Sequence, residues 1–144
     1  MDMLETVKLG ATVSRIGEKA FYGCSNIKTL EIPGIESQEA IGASSFRWCN
    51  YLGNDTNLST VEALTCAFIP EGITKNSLKR VTLTPMVSEI KNGMFSGCMS
   101  LSMVDFPDSI TAIGTYALAY TAISSIVIPS GVEHVGDWAF DACQ

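Results

Sequence analysis

The stretch ISSIVIPSGVEHVGDWAFDAC, residues 123–143, recurs along the chain with small variations. Counted from Ile123, its apolar residues Ile126, Ile128, Val132, Val135, Ala139, Phe140 and Cys143 fall at offsets 3, 5, 9, 12, 16, 17 and 20. Pro129 stands at offset 6 and Gly136 at offset 13. The same count from Leu4 reaches Val7, Leu9, Val13, Ile16, Gly17, Ala20, Phe21 and Cys24. From Leu78 it reaches Val81, Leu83, Val87, Ile90, Phe95 and Cys98, and the next unit opens 23 residues on, at Leu101. That unit is one residue short and has Leu118 and Thr121 where the others have Phe and Cys.

The unit opening at Ile27 keeps Leu30, Ile32 and Pro33, carries about two extra residues before Ile41-Gly42, and recovers at Phe46 and Cys49. Residues 52–77 are irregular. Our alignment treats Leu52 to Ala63 as an insertion or a decayed repeat. It places Leu64, Ala67, Ile69, Pro70 and Ile73 at offsets 0, 3, 5, 6 and 9, with the Ile-Gly…Phe…Cys half missing. The chain thus reads as one domain over 1–144 with repeats at about 4–26, 27–51, 52–77, 78–100, 101–122 and 123–144.

A repeat of this length is one supersecondary unit that buries its apolar face only by stacking on its neighbours. Offsets 3 and 5 have the strand period of two, so their side chains share a face. Equivalent segments can then pair as a parallel ladder with rungs ~4.8 Å apart. Proline has no N–H to donate, so at the corner it ends the pairing. The glycine at offset 13 allows a positive φ or a close backbone approach. Lys91 takes its place in one unit, which predicts a different turn there. Phe21, Phe46, Phe95 and Phe140 share offset 17 or its equivalent and are expected to stack as a column.

The segments VKLGATVSRIGEKAFYGC (7–24) and IVIPSGVEHVGDWAFDAC (126–143) resemble the BspA-like branch of leucine-rich repeats. The resemblance covers essentially the whole chain and is weakest at 52–77. It implies an α/β solenoid of about six short repeats. This would be a right-handed superhelix with a parallel β-ladder, β-rich, with short helical or irregular returns. It also implies a cell-surface or secreted parent with a role in adhesion.

The bulk composition narrows the functional classes. The chain has 144 residues, 47% of them hydrophobic and 17% charged, which is a globular composition. A net charge of −6 without a basic patch disfavours nucleic acid and anionic membrane surfaces. No apolar run approaches the ~18 residues a membrane span needs. The start Met1-Asp2-Met3-Leu4-Glu5 has neither the basic nor the apolar region of a signal peptide. Solenoid ends normally carry a polar cap, and the pattern here runs from residue 4 to residue 143 without one. We therefore expect a fragment of a longer array, or end-to-end self-association through the uncapped repeats.

Catalytic and metal-binding patterns are weak. Cys24, Cys49, Cys98 and Cys143 share offset 20 or its equivalent, and their wide spacing lacks the Cys-x-x-Cys pairs of a zinc site. Stacking brings Cys24 near Cys49, but parallel rungs point both Cβ atoms the same way, so these residues read as small core fillers. Cys66 lies outside that column and reads as a buried thiol. His134, the single histidine, sits at a variable surface offset rather than beside a nucleophile. No phosphate-binding glycine loop or nucleophile elbow is present. The polar stretch 53–59 holds sequons at Asn54 and Asn57 but fails the calcium-loop pattern, and it reads as a turn. No cofactor is expected.

Offsets 1, 2 and 4 remain, pointing away from the core on the main ladder. There the candidate ligand-binding residues are Lys8, Glu31, Arg80, Thr82 and Asp105. The sequence therefore reads as a non-catalytic module binding a protein or carbohydrate. A ligand-free structural spacer is the alternative, and a hydrolase a distant third.

Overall fold

The computed structural model describes residues 3–46, 61–71, 73 and 76–143. It is a β-rich repeat solenoid built on two parallel sheets. The main sheet has five strands in the order β1 (Thr6–Lys8), β2 (Thr29–Glu31), β3 (Ala63–Cys66), β4 (Arg80–Leu83) and β6 (Met103–Asp105). The second sheet has three: β5 (Glu89–Ile90), β7 (Ala112–Ile113) and β8 (His134–Val135). An isolated parallel bridge, Ile16 to Ile41, supplies the second rung of the first two units. Among the described residues the one helical element is a 3-10 turn over Gln38–Ala40, so the returns are not α-helical.

The middle residue of each main rung faces the core. Val7, Leu30, Leu64 and Val81 are buried and aligned in register from strand to strand. Ile16, Ile41, Ile90 and Ile113 do the same on the second ladder. Between the ladders lie Phe46, Phe95 and Leu118, all buried. Phe21 and Phe46 stack with centroids 5.4 Å apart. The expected aromatic column is therefore interrupted, once by Leu118 and once at the third unit.

The third unit corrects the sequence alignment. Leu64 pairs with Leu30 and with Val81, so it stands at offset 3, not 0. Val61, fully buried, opens the unit, and Cys66 takes the place of Ile32 and Leu83. Three residues, 67–69, then delay the corner. In most units the N–H at offset 9 donates to the carbonyl at offset 6, as in Val87 to Thr84 and Ile110 to Pro107. Ile73 donates to Pro70 in the same manner, at 3.1 Å. The earlier alignment is thus right for the corner and three residues out for the strand. None of the described residues of this unit joins the second ladder, in keeping with the missing Ile-Gly…Phe…Cys half.

The last extended segment also differs from expectation. Ile126 and Ile128 rest half-buried on the core, but residues 124–128 form no strand against β6. The preceding unit is one residue short, and Ala122 donates instead to Leu101 at 2.9 Å. That shift takes the later amides out of ladder register.

The glycines at offset 13 serve close approach rather than positive φ. A Cβ on Gly114 would lie 2.6 Å from the Asn92 nitrogen, and one on Gly136 2.5 Å from the Thr115 nitrogen. One on Gly42 would overlap the backbone of Gly17 and Glu18. Gly17 has nothing within 4 Å, because no described rung lies against that side of it. Lys91 is accommodated for the same reason: none of the third unit's described residues supplies second-ladder backbone to meet it.

Positive φ falls elsewhere, twice per turn. One position is Lys19, Ser44, Gly93, Tyr116 and Trp138, with φ of 55, 59, 67, 55 and 59°. The other is Gly23, Gly97, Tyr120 and Ala142, with φ of 73, 81, 57 and 51°. For residues other than glycine this conformation costs about 1–2 kcal/mol each. Hydrogen bonds across rungs offset that cost. Tyr116, Leu118 and Tyr120 donate to the carbonyls of Asp137, Ala139 and Asp141 at 2.8–3.0 Å. Gly93, Phe95 and Gly97 donate in the same way to Thr115, Ala117 and Ala119. Alternating residues of the return thus point their N–H groups along the solenoid, and the return becomes a third line of cross-rung bonds.

Of the described cysteines, Cys24, Cys66 and Cys98 are buried fillers and Cys143 is partly exposed. Cys49 lies outside the described residues. The Cys143 thiol donates to the Leu118 carbonyl at 3.2 Å, beside the Thr121 hydroxyl, which donates to the same carbonyl at 3.0 Å. Burial raises the Cys66 thiol from 9.0 to about 12, against a smaller lowering by a backbone bond at Phe68.

Two expectations follow. Gly114→Ala and Gly136→Ala should each lose about 1–3 kcal/mol in urea unfolding from the forced rung displacement. Gly17→Ala should be neutral or gain up to about 1 kcal/mol through a less flexible unfolded chain. Cys66 should resist thiol reagents in the folded state, as mass spectrometry after labelling would read. Its stabilising contribution is full below pH 9, where both states are protonated. It is lost as pH climbs towards about 12, because the unfolded thiol ionises first.

Candidate binding face

The strand face is built by the parallel register. Each rung turns its middle residue inward and the residues on either side outward. Thr6 and Lys8, Thr29 and Glu31, Arg80 and Thr82, and Met103 and Asp105 therefore stand in two rows along the sheet. Successive rungs bring the side chains of one row within reach of each other.

The five candidate residues fall into two groups rather than one. Lys8 Nζ lies 3.9 Å from Glu31 Oε2 across the first two rungs. Further along, Arg80 holds Asp105 Oδ2 through both Nε and Nη2 at 2.9 Å. The Thr82 hydroxyl donates to that same oxygen at 3.0 Å. Between the two groups lies a pair that sequence reasoning missed, Lys79 Nζ to Glu62 Oε1 at 3.5 Å. Glu62 escaped notice because of the alignment error. With Leu64 at offset 3, Glu62 falls at offset 1, directly before Lys79 of the next rung. The Lys79 amide also donates to the Glu62 carbonyl at 2.8 Å.

The face is therefore a ladder of cross-rung ion pairs that neutralise one another. Exposed pairs of this kind contribute about 0.2–1 kcal/mol each. Their larger effect is to hold long side chains in one arrangement. Arg80 is the best-fixed member, since a planar guanidinium with two donors on one carboxylate oxygen has little freedom left.

A cleft lies where, among the described residues, the second ladder is interrupted. It has a volume of about 580 Å³ and opens between the 3-10 turn, residues 67–73 and the segment following β5. Phe68, Ile69 and Met94 are among its apolar lining residues, and Glu36, Glu89 and Lys91 among its charged ones. The Glu71 amide donates to the Gln38 side chain at 2.9 Å, tying one wall to the other. The missing Ile-Gly…Phe…Cys half of the third unit is its sequence signal.

His134 is exposed on β8. Among the described residues, no group of three or more His, Cys, Asp or Glu side chains is placed to hold a metal ion. No described helix is long and apolar enough to cross a membrane. Asn54 and Asn57 lie outside the described residues.

Comparison with known proteins agrees with this geometry. The model for the BspA type leucine rich repeat region matches six copies, over residues 1–68 and 36–144. A leucine rich cell surface protein of Faecalibacterium prausnitzii A2-165 is 31% identical, with a TM-score of 0.51 over 97% of this chain and 37% of that one. A leucine-rich repeat protein of Bacteroides ovatus ATCC 8483 is 21% identical, with a TM-score of 0.46 over 95% of this chain and 46% of that one. The chain thus spans less than half the length of either structure. No curated protein matches. With matches spread over its length, the chain belongs to the BspA-type leucine-rich repeat family.

Proposed function

We propose that the chain is a non-catalytic binding module of a surface-displayed leucine-rich repeat protein. Its ligand would be a protein or a carbohydrate that engages the strand face at Lys8, Glu31, Arg80, Thr82 and Asp105. The observation that carries this reading is the fixed arrangement of charges across five parallel rungs. Groups already held in place lose little freedom on binding, so a ligand pays less of the ordering cost that weakens flexible surfaces. The description of the Faecalibacterium relative as a cell surface protein supports the setting.

A second reading is favoured by the same ion pairs. Because Lys8, Glu31, Glu62, Lys79, Arg80 and Asp105 already have partners, the face presents little net field there, as suits a spacer that holds other parts of a protein apart. The two readings differ in a measurable way. Swapping the pairs (Lys8→Glu with Glu31→Lys, Arg80→Glu with Asp105→Lys) keeps opposite charges in contact and reverses only the displayed pattern. The swapped chain should keep its unfolding midpoint. It should also lose at least about tenfold in affinity for any matrix protein or glycan the native chain binds, if two pairs each contribute near the upper end of their range. Unchanged binding by the swapped chain would place the ligand off this face, and no micromolar ligand in either panel would favour the spacer.

A further inference from the structure

The charges of this chain are unevenly divided. All nine lysines and arginines lie at or before Lys91, where they stand against ten carboxylates. Residues 92–144 hold five carboxylates and no lysine or arginine. Of these five, Asp105 is taken by Arg80. Asp108, Glu133, Asp137 and Asp141 have no cation within ion-pair distance among the described residues.

The same region exposes its aromatic rings. Trp138 is 63% exposed, Tyr120 51% and Tyr116 40%. Tyr116 and Trp138 share one column on adjacent returns, and their rings lie 6.3 Å apart with planes only 14° from parallel. The position in this column one unit earlier is Gly93, which has no side chain, so no ring from that rung covers the pair. Tyr120 follows on the same return as Tyr116, and its amide donates to the Asp141 carbonyl at 2.9 Å.

These rings sit where the backbone is least suited to them. Tyr116, Tyr120 and Trp138 all have positive φ, at positions where other units carry glycine, lysine, serine or alanine. Bulky side chains held in this conformation need a reason outside folding. Within the described residues burial does not provide one, because all three are exposed there. Large exposed aromatics on a rigid scaffold are the residues that dominate recognition surfaces.

We propose that Tyr116, Trp138 and Tyr120, with Asp137 and Asp141 beside them, form a docking surface for a basic, arginine-rich segment of a partner protein. The face of an aromatic ring attracts a guanidinium, and the unpaired carboxylates beside the rings supply the opposite charge. Residues 92–144 themselves supply no lysine or arginine to compete for those rings and carboxylates. This surface lies on the return side of the solenoid, and the inference does not rest on the strand-face reading.

Glycine substitutions make the proposal testable without unfolding the chain, since positive φ suits glycine better than tyrosine or tryptophan. A labelled arginine–glycine peptide would be titrated with the native chain and followed by fluorescence anisotropy, beside a glutamate–glycine peptide of equal length. The arginine peptide should bind, more weakly as salt rises, and the glutamate peptide should not. Trp138→Gly and Tyr116→Gly should each keep the fold by circular dichroism and weaken binding by roughly tenfold or less, scaling with the lost ring contact. The strand-face swap Arg80→Glu with Asp105→Lys should bind as the native chain does. Equal binding of both peptides, undiminished binding by both glycine variants, or displacement of the arginine peptide by a neutral oligosaccharide would each overturn the proposal.

Discussion

Successive turns of this chain can exchange hydrogen bonds only if their backbones approach to about 4.8 Å. Every other feature follows from meeting that distance on three lines at once. On the main ladder the requirement is met by short β-branched and leucine-rich rungs, with Val7, Leu30, Leu64 and Val81 in register. On the second ladder it is met by removing a side chain altogether, as Gly42, Gly114 and Gly136 show. On the return it is met by backbone conformation, with positive φ at two positions that turn alternate amides towards the neighbouring rung. The energy of each bond is modest. Their repetition in register is what leaves one arrangement of the chain rather than many.

The third unit shows which of these lines is indispensable. It keeps its main rung, β3, fully paired on both sides. Its described residues contribute nothing to the second ladder. The solenoid continues because the buried residues of the main rung, Val61, Leu64 and Cys66, bridge the core between β2 and β4. Where the second ladder lapses, constraints relax together. Lys91 stands in the glycine position, the aromatic column stops, and a cleft opens.

Much of this was legible in the residues. The period, the inward positions, the corner and the absent half-unit all follow from offsets repeated in several units. What failed is informative. Leu64 was misplaced by three residues because the Pro70 corner looked like the others while the residues before it had lengthened. An offset counted from one landmark cannot register a local insertion. That error hid Glu62 and with it the middle pair of the strand face. The rung at 124–128 was expected from its isoleucines, but a single missing residue in the preceding unit moved its amides out of register. The exposed pair Tyr116 and Trp138 left no trace in a reading built on apolar periodicity, since their column is occupied by lysine, serine and glycine elsewhere. The grouping of Arg80, Thr82 and Asp105 on one carboxylate oxygen likewise needed coordinates, because residues 25 apart meet there only through the register of two rungs.

The central claim is that the main ladder runs unbroken through the third unit, whose described residues add nothing to the second. Amide hydrogen exchange read residue by residue tests it most directly. The amides of Ile32, Lys79 and Thr84 donate into the third unit at 2.9, 2.8 and 3.2 Å. They should be protected as well as those of Leu9 and Ser102, which donate between other units at 2.9 and 3.1 Å. Fast exchange at Ile32, Lys79 and Thr84 beside slow exchange at Leu9 and Ser102 would contradict it, and would make the chain two short ladders joined by a linker.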